Sequence, residues 1–179
     1  MFEAIKKLIE DYPKIIIHRH KNPDGDALGA QMGLKRILME NYPEKQILAV
    51  GDMTPRYAFM ATLPLDEIED SAYEGALAIL LDTSTPTLIC DDRYTKADMS
   101  ARIDHHIFCE KFADVEVTDT SFESCCGMIA AFAMECGWQV SAEAAKSLYT
   151  GMVTSVSAFM SSSIAIASSL LLRVAPLAF

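Results

Sequence analysis

Residues 77–82 read Leu77-Ala78-Ile79-Leu80-Leu81-Asp82, five apolar residues closed by an acid. The run does not alternate, so a strand here is covered on both faces, which is the pattern of a parallel sheet. An acid within that apolar layer would be costly, whereas the strand's end can open onto a ligand. The alternative is that Asp82 caps a turn with Thr83 and Ser84. Working outward, Ile15-Ile16-Ile17, Ile47 to Val50 and Ala101 to Ile103 read as further short strands, and Val115 to Val117 as an edge strand. Helical spacing appears between and around them. Phe2 to Asp11 carries Phe2, Ile5, Leu8 and Ile9 on one face and is ended by Pro13. Ala27 to Asn41 carries Ala27, Ala30, Leu34, Ile37 and Leu38, with Asp26 as the expected N-cap. Tyr57 to Ala61 reads as a short helix. Ser124 to Cys136 and Ala142 to Val153 read as helices divided at Gly137. Strands alternating with helices predict an α/β fold, a mostly parallel β-sheet with helices on both faces in a Rossmann-like arrangement.

Composition narrows the function. At 179 residues one domain of ordinary size is expected, and 51% hydrophobic against 22% charged residues excludes disorder as the main state. A formal charge of −10 argues against a protein that coats nucleic acid, though not against an enzyme whose carboxylates are offset by metal ions. Five cysteines without a CxxC read as reduced thiols, and residues 1–14 lack the apolar stretch of a signal peptide. Both point to a cytoplasmic protein.

In parallel sheets ligands sit beyond the carboxyl ends of the strands, and the acids of this chain gather there. His20-Lys21-Asn22-Pro23-Asp24-Gly25-Asp26 places an imidazole and two carboxylates in one loop after the first strand. Carboxylates this close repel unless a cation holds them. A surface Asp-Gly turn capping a helix is the plainer reading of that loop alone. Asp82 follows the third strand, and Asp104-His105-His106 follows the fourth. Of two adjacent histidines in a turn, one can ligate a metal while the other faces substrate, and Asp104 can orient an imidazole. A carboxylate-rich set with imidazoles suits Mn²⁺ or Mg²⁺ rather than a structural Zn²⁺. Two ions about 3.5–4 Å apart need a bridging carboxylate, for which Asp82 is the central candidate. The chemistry this suits is phosphoester hydrolysis. His18 is expected to be a packed histidine, Cys109, Cys125 and Cys126 core or semi-buried thiols, and Asp119 a helix cap.

His20 to Ala30, the isolated Asp82 and Asp104-His105-His106 resemble the first three motifs of the DHH phosphoesterase superfamily. The spelling Pro-Asp-Gly-Asp-Ala, together with Tyr149 to Thr154, most resembles its bifunctional oligoribonuclease and pAp phosphatase (nanoRNase) branch. Manganese pyrophosphatases share the metal motifs but usually carry Thr between the two aspartates, so Gly25 leans away from them. The resemblance covers residues 1–154. It implies that His20, Asp24 and Asp82 hold one manganese ion, and Asp26, Asp82 and His105 the other. It further implies that His106 faces the phosphate, that Asp104 supports it, and that the substrates are short RNA oligonucleotides and 3′-phosphoadenosine 5′-phosphate.

Residues 155–179 depart from that pattern. The family's fourth-motif aspartate would fall at Ser155, and a serine hydroxyl is a poor ligand for a hard cation. The family's C-terminal substrate-binding domain is expected to be absent, leaving a face that favours a homodimer. The tail holds one charged residue, Arg173, and is expected to form a final helix from Ser163 to Val174. A tail anchor and a frameshifted segment are the alternatives; the apolar stretch is too short and too serine-interrupted to span a bilayer. Low or absent turnover is expected, with a catalytically inactive remnant or a non-enzymatic interaction module retaining the motifs as the reading from another class.

Overall fold

The three-isoleucine run becomes the centre of strand β1 (Lys14–His18), with a parallel neighbour on each side. The computed structural model describes residues 1–154. Strands β2 (Gln46–Ala49), β3 (Ala76–Leu81), β4 (Met99–Asp104) and β5 (Val115–Thr118) complete a five-stranded, all-parallel sheet in the order β2-β1-β3-β4-β5. Ile16 lies opposite Leu48 and Ala78, and Leu81 opposite Ile103. Every residue of β3 is buried, as its unbroken apolar run predicts, whereas β5 at the edge is only half-buried. Ser155, the helix expected from Ser163 to Val174 and the rest of the tail lie outside the described residues.

Helices α1 (Glu3–Asp11), α2 (Gly25–Asn41), α3 (Cys125–Cys136) and α4 (Ala142–Thr154) fall where apolar periodicity placed them. All four pack in one core with Ile15, Ile17, Leu77, Ile79, Leu81, Ala101 and Ile103. Each fully buried Ile or Leu side chain among them contributes about 1.5–3 kcal/mol. The alternate residues Ile16, Ala76, Ala78 and Leu80 face the other way, onto Tyr73, Ile89 and Tyr94. Helical cover is therefore present on both faces but differs in kind. The second face is roofed by short 3₁₀ turns at Asp70–Tyr73, Pro86–Leu88 and Asp92–Lys96, too short to show a period in the sequence. The expected helix near Tyr57 is likewise 3₁₀, over Pro55–Met60.

Two details set up the site. The N-cap of α2 is Asp24, not Asp26: Asp24 Oδ1 accepts from Ala27 N at 3.0 Å, and Asp26 already lies in the first helical turn. Along α2, Gly25, Gly29 and Gly33 recur every fourth residue and meet α4. A Cβ on Gly29 would stand 2.8 Å from Gly151 Cα, so the two backbones touch. That close approach sets α2 deep in the molecule, with its N-terminus under the sheet's carboxyl edge. The chain leaves β1 toward β2 on one side and β3 toward β4 on the other, so the β1/β3 crevice is the point where strand order reverses.

Candidate metal centre

The turn after β1 and the connection after β3 are stitched together. His20 bridges Ile89, Lys21 N donates to Leu88 O at 2.7 Å, and Cys90 N donates to Arg19 O at 2.9 Å. This suspends His20 across the end of β3, where Asp82 stands. Asp82 adopts a left-handed backbone (φ 53°), uncommon for a residue with a Cβ, and its N–H donates to Ile103 O at 3.1 Å. It is 2% exposed, and its Oδ1 has no hydrogen-bond partner among the described residues.

Imidazoles approach Asp82 from two sides. His20 Nε2 is 3.6 Å from Asp82 Oδ2 and 3.8 Å from Asp24 Oδ1. His105 Nε2 is 3.5 Å from Asp82 Oδ1 and 3.6 Å from Asp26 Oδ2. These separations exceed hydrogen-bond length. They lie near the spacing of ligand atoms around a shared cation, about 3–3.6 Å for bonds of about 2.0–2.2 Å. The ring tautomers agree. His20 Nδ1 is 2.9 Å from Lys21 O and His105 Nδ1 is 3.3 Å from Phe122 O. A carbonyl only accepts, so in each neutral ring Nδ1 carries the proton and Nε2 aims its lone pair at two carboxylates. Nε2 atoms that offer lone pairs once the rings give up a proton, beside a buried oxygen lacking a donor, suit a cation.

The electrostatics point the same way. Burial works against a charged His20, but the Asp24 and Asp82 carboxylates outweigh it and push the ring up to about 10. Burial is likewise overcome at His105 by Asp82 and Asp26, to about 9. His20 in turn holds Asp24 down to about 2. Asp26 is raised to about 7 by its burial and by the charge of Asp82, although hydrogen bonds from Cys126 and Cys125 oppose the rise. A potential that draws protons onto these rings draws any cation.

Two sets of side chains bring ligand atoms within 4.8 Å of one another: His20, Asp24 and Asp82, and Asp82, His105 and His106. Asp82 belongs to both. Asp26 reaches the second set through His105, while its oxygens accept from Cys125 N at 2.7 Å and Cys126 N at 2.8 Å, across the N-terminus of α3. His106 Nδ1 is 2.8 Å from Asp104 Oδ1, so the ring directs a proton there and keeps Nε2 for other partners. Asp104 raises the basicity of His106, which is half-exposed.

The structure thus gathers His20, Asp24, Asp26, Asp82, Asp104, His105 and His106 at one edge. His18 stays outside, buried beside Tyr73 and Tyr94 on the far face of the sheet. Cys125 and Cys126 are buried thiols, whereas Cys109 is exposed rather than semi-buried. Asp119 does not cap α3; Ser124 does, and Asp119 Oδ1 instead accepts from Ser121 N at 2.8 Å within the preceding turn. Two arginines were missed by the sequence reading. Arg102, fully buried, donates to Asp104 Oδ2 at 2.5 Å, and its position two residues before Asp104 on a strand was the available signal. Arg19 is also fully buried beside His20.

Residues 14–152 match the family model described as "DHH family, N-terminal domain". The bifunctional oligoribonuclease and PAP phosphatase NrnA of Bacillus subtilis (strain 168) is 40% identical over 157 residues, covering 86% of this chain and 50% of that protein. The probable bifunctional oligoribonuclease and PAP phosphatase NrnA of Streptococcus mutans is 37% identical over 159 residues, covering 89% of this chain and 51% of that protein. The chain spans about half the length of the curated relatives it matches. An exopolyphosphatase-related protein from Bacteroides fragilis superposes with a TM-score of 0.83 at 23% identity, over 96% of this chain and 56% of that one, and shares the fold.

Proposed function

Since this chain belongs to the DHH family, matching its N-terminal domain, we propose that it is a manganese-dependent di-metal phosphoesterase acting on short RNA oligonucleotides and 3′-phosphoadenosine 5′-phosphate. The observation that carries the reading is the buried Asp82 carboxylate shared by two carboxylate–imidazole sets at the β1/β3 crevice. The substrates follow the names of the oligoribonuclease and PAP phosphatase relatives. A donor set of oxygens and imidazoles without thiolate suits manganese or magnesium, and the family resemblance favours manganese; the buried thiols make hydrogen bonds to main-chain carbonyls, Cys125 Sγ to Ile103 O and Cys126 Sγ to Asp26 O.

His20, Asp24 and Asp82 would hold one ion, and Asp26, Asp82 and His105 the other. Bound there, the pair supplies Lewis-acid polarisation of the phosphoryl group and a more acidic water. The side chains do the rest. Asp82 ties both sets to one strand end, and the left-handed turn fixes its carboxylate between them. Asp104 holds the His106 Nδ1 proton and raises the ring's basicity, so the protonated ring presents Nε2–H to the phosphate and stabilises its developing charge. Arg102 anchors Asp104 from behind, which keeps that ring from turning.

The test is hydrolysis of 3′-phosphoadenosine 5′-phosphate and of a ribodinucleotide with Mn²⁺ titrated in and Asp82→Ala as control. Manganese-dependent turnover that vanishes in the control supports the reading. A folded protein with no turnover above the control leaves a domain that keeps the motifs without the activity. No helix among the described residues is long and apolar enough to cross a membrane.

A further inference from the structure

We propose that Arg19 is the positioning residue for His20: its guanidinium joins three chain segments, and that junction sets where the His20 ring stands against Asp82 and Asp24. The inference rests on the reading of His20 as a cation ligand.

Arg19 is fully buried, and its contacts run in three directions. Nε donates to Gln31 Oε1 on α2 at 3.0 Å, Nη1 donates to His20 O at 3.0 Å, and Nη2 donates to Asp52 O in the connection after β2. Gln31 is itself fixed, its Nε2 donating to Ile17 O at 2.8 Å and to Val50 O at 2.9 Å. The neighbouring chain is shaped around the guanidinium. Gly51 has φ +115°, and a Cβ there would lie 3.0 Å from Cys90 Sγ, 3.1 Å from Arg19 Nη2 and 3.2 Å from Arg19 Cζ. A glycine is needed both for that backbone and for that space.

All three acceptors are neutral: one side-chain amide and two main-chain carbonyls. A buried cation on neutral acceptors carries a desolvation penalty that an apolar side chain of similar volume would avoid. What the guanidinium supplies instead is planar, multi-armed geometry, which a lysine ammonium cannot copy. One arm lands on the carbonyl of His20, the residue whose Nε2 stands 3.6 Å from Asp82. Metal affinity depends on ligand placement and on the groups that orient the ligands. His105 reaches Asp82 from β4 with its ring on Phe122 O, and none of the Arg19 contacts touches it. The effect of Arg19 is therefore one-sided.

The experiment uses the full chain, ¹⁵N-labelled at histidine, with Mn²⁺ binding followed calorimetrically on a separate sample. In metal-free Arg19→Lys, the His20 ring signals should move and its Nδ1 proton should exchange faster, while His105 and His106 stay in place. One class of Mn²⁺ site should weaken about tenfold or more, with the other within about twofold. Unmoved His20 signals would overturn the proposal, and so would a common shift of all three histidines, which marks general loosening. Gly51→Ala keeps Arg19 and presses a Cβ onto its guanidinium; it carries the same test should Arg19→Lys not fold, and an unmoved His20 there overturns the proposal equally. A wild-type chain that binds no Mn²⁺ while Arg19→Lys still displaces His20 alone would refute the cation reading and leave the positioning role standing.

Discussion

Asp26 and Cys126 are separated by 100 positions in sequence, yet the Cys126 backbone N–H donates to Asp26 Oδ1 at 2.8 Å. Cys125 N reaches the other oxygen at 2.7 Å. One carboxylate in the first turn of α2 thus serves the open N–H groups at the start of α3 and also faces His105. This is why a side chain that reads as an N-cap for its own helix is better described as a cap for another.

An asparagine at position 26 offers one acceptor where two are used. Asp26→Asn should therefore strip protection from the Cys125 or Cys126 amide. A lost charge-assisted hydrogen bond of about 1.5–3 kcal/mol predicts exchange faster by about tenfold to a hundredfold at that amide. Amide hydrogen exchange by NMR reads it directly. If both amides keep wild-type protection, the helix start is satisfied by other groups and the assignment fails.

The pH dependence of the metal-free protein has a definite sign. His20 and His105 are raised from 6.5 to about 10 and about 9, and Asp26 from 3.8 to about 7. A group whose folded value is raised stabilises the fold below its unfolded value and loses that contribution as pH climbs through the folded one. For Asp26 the loss falls between about pH 4 and 7, and for the histidines between about 6.5 and 10. In EDTA, the urea midpoint should decline from pH 6.5 to 10. Saturating Mn²⁺ should reverse the trend, since cations replace the departing protons. A flat midpoint across that range in EDTA would contradict the electrostatic picture.

The parallel sheet and the edge where the acids and histidines gather were legible because two signals coincided. Unalternated apolar runs located the strands, and each of β1, β3 and β4 is followed by its acids or histidines. The layer over the second face was not legible. Tyr73, Ile89 and Tyr94 enter it from 3₁₀ turns and connections too short for any period. Nor was Asp26's tie to α3, because a contact between residues 100 positions apart leaves no local mark. The glycine spacing of α2 was visible but silent without α4 in view, since Gly25, Gly29 and Gly33 read as weak helix formers until a partner backbone meets them.

That packing makes a prediction of its own. A Cβ at Gly29 would lie 2.8 Å from Gly151 Cα, from Ser147 O and from Cys126 Sγ, and the first two belong to a backbone that cannot rotate away. Gly29→Ala should destabilise by about 1–3 kcal/mol through overpacking, despite alanine's better helix propensity. Gly137→Ala meets nothing within 4 Å but must hold φ +69°, so its cost should be nearer about 1–2 kcal/mol. Urea unfolding measures both. An unchanged or raised midpoint for Gly29→Ala would mean that α2 and α4 stand farther apart than described.

Arg102 offers the sharpest test of how the His106 end is built. It is fully buried with Asp104, its Nη1 donates to Glu110 O at 3.3 Å and lies 3.7 Å from Glu116 Oε2, and its guanidinium lies 4.6 Å from the Phe112 ring centroid. Removing one partner of a buried pair costs about 3–5 kcal/mol, because the other charge is left without compensation. Arg102→Met should therefore destabilise by about that amount. Adding Asp104→Asn removes the stranded carboxylate, so the double variant should recover stability relative to the single one. An asparagine oxygen can still accept from His106, so part of the ring's orientation should survive. The two single variants, the double variant and the wild type form a cycle whose coupling measures the pair. Additive losses would mean that Arg102 acts through its stacking on Phe112, its bond to Glu110 and its ion pair with Glu116, and not through the carboxylate that holds His106.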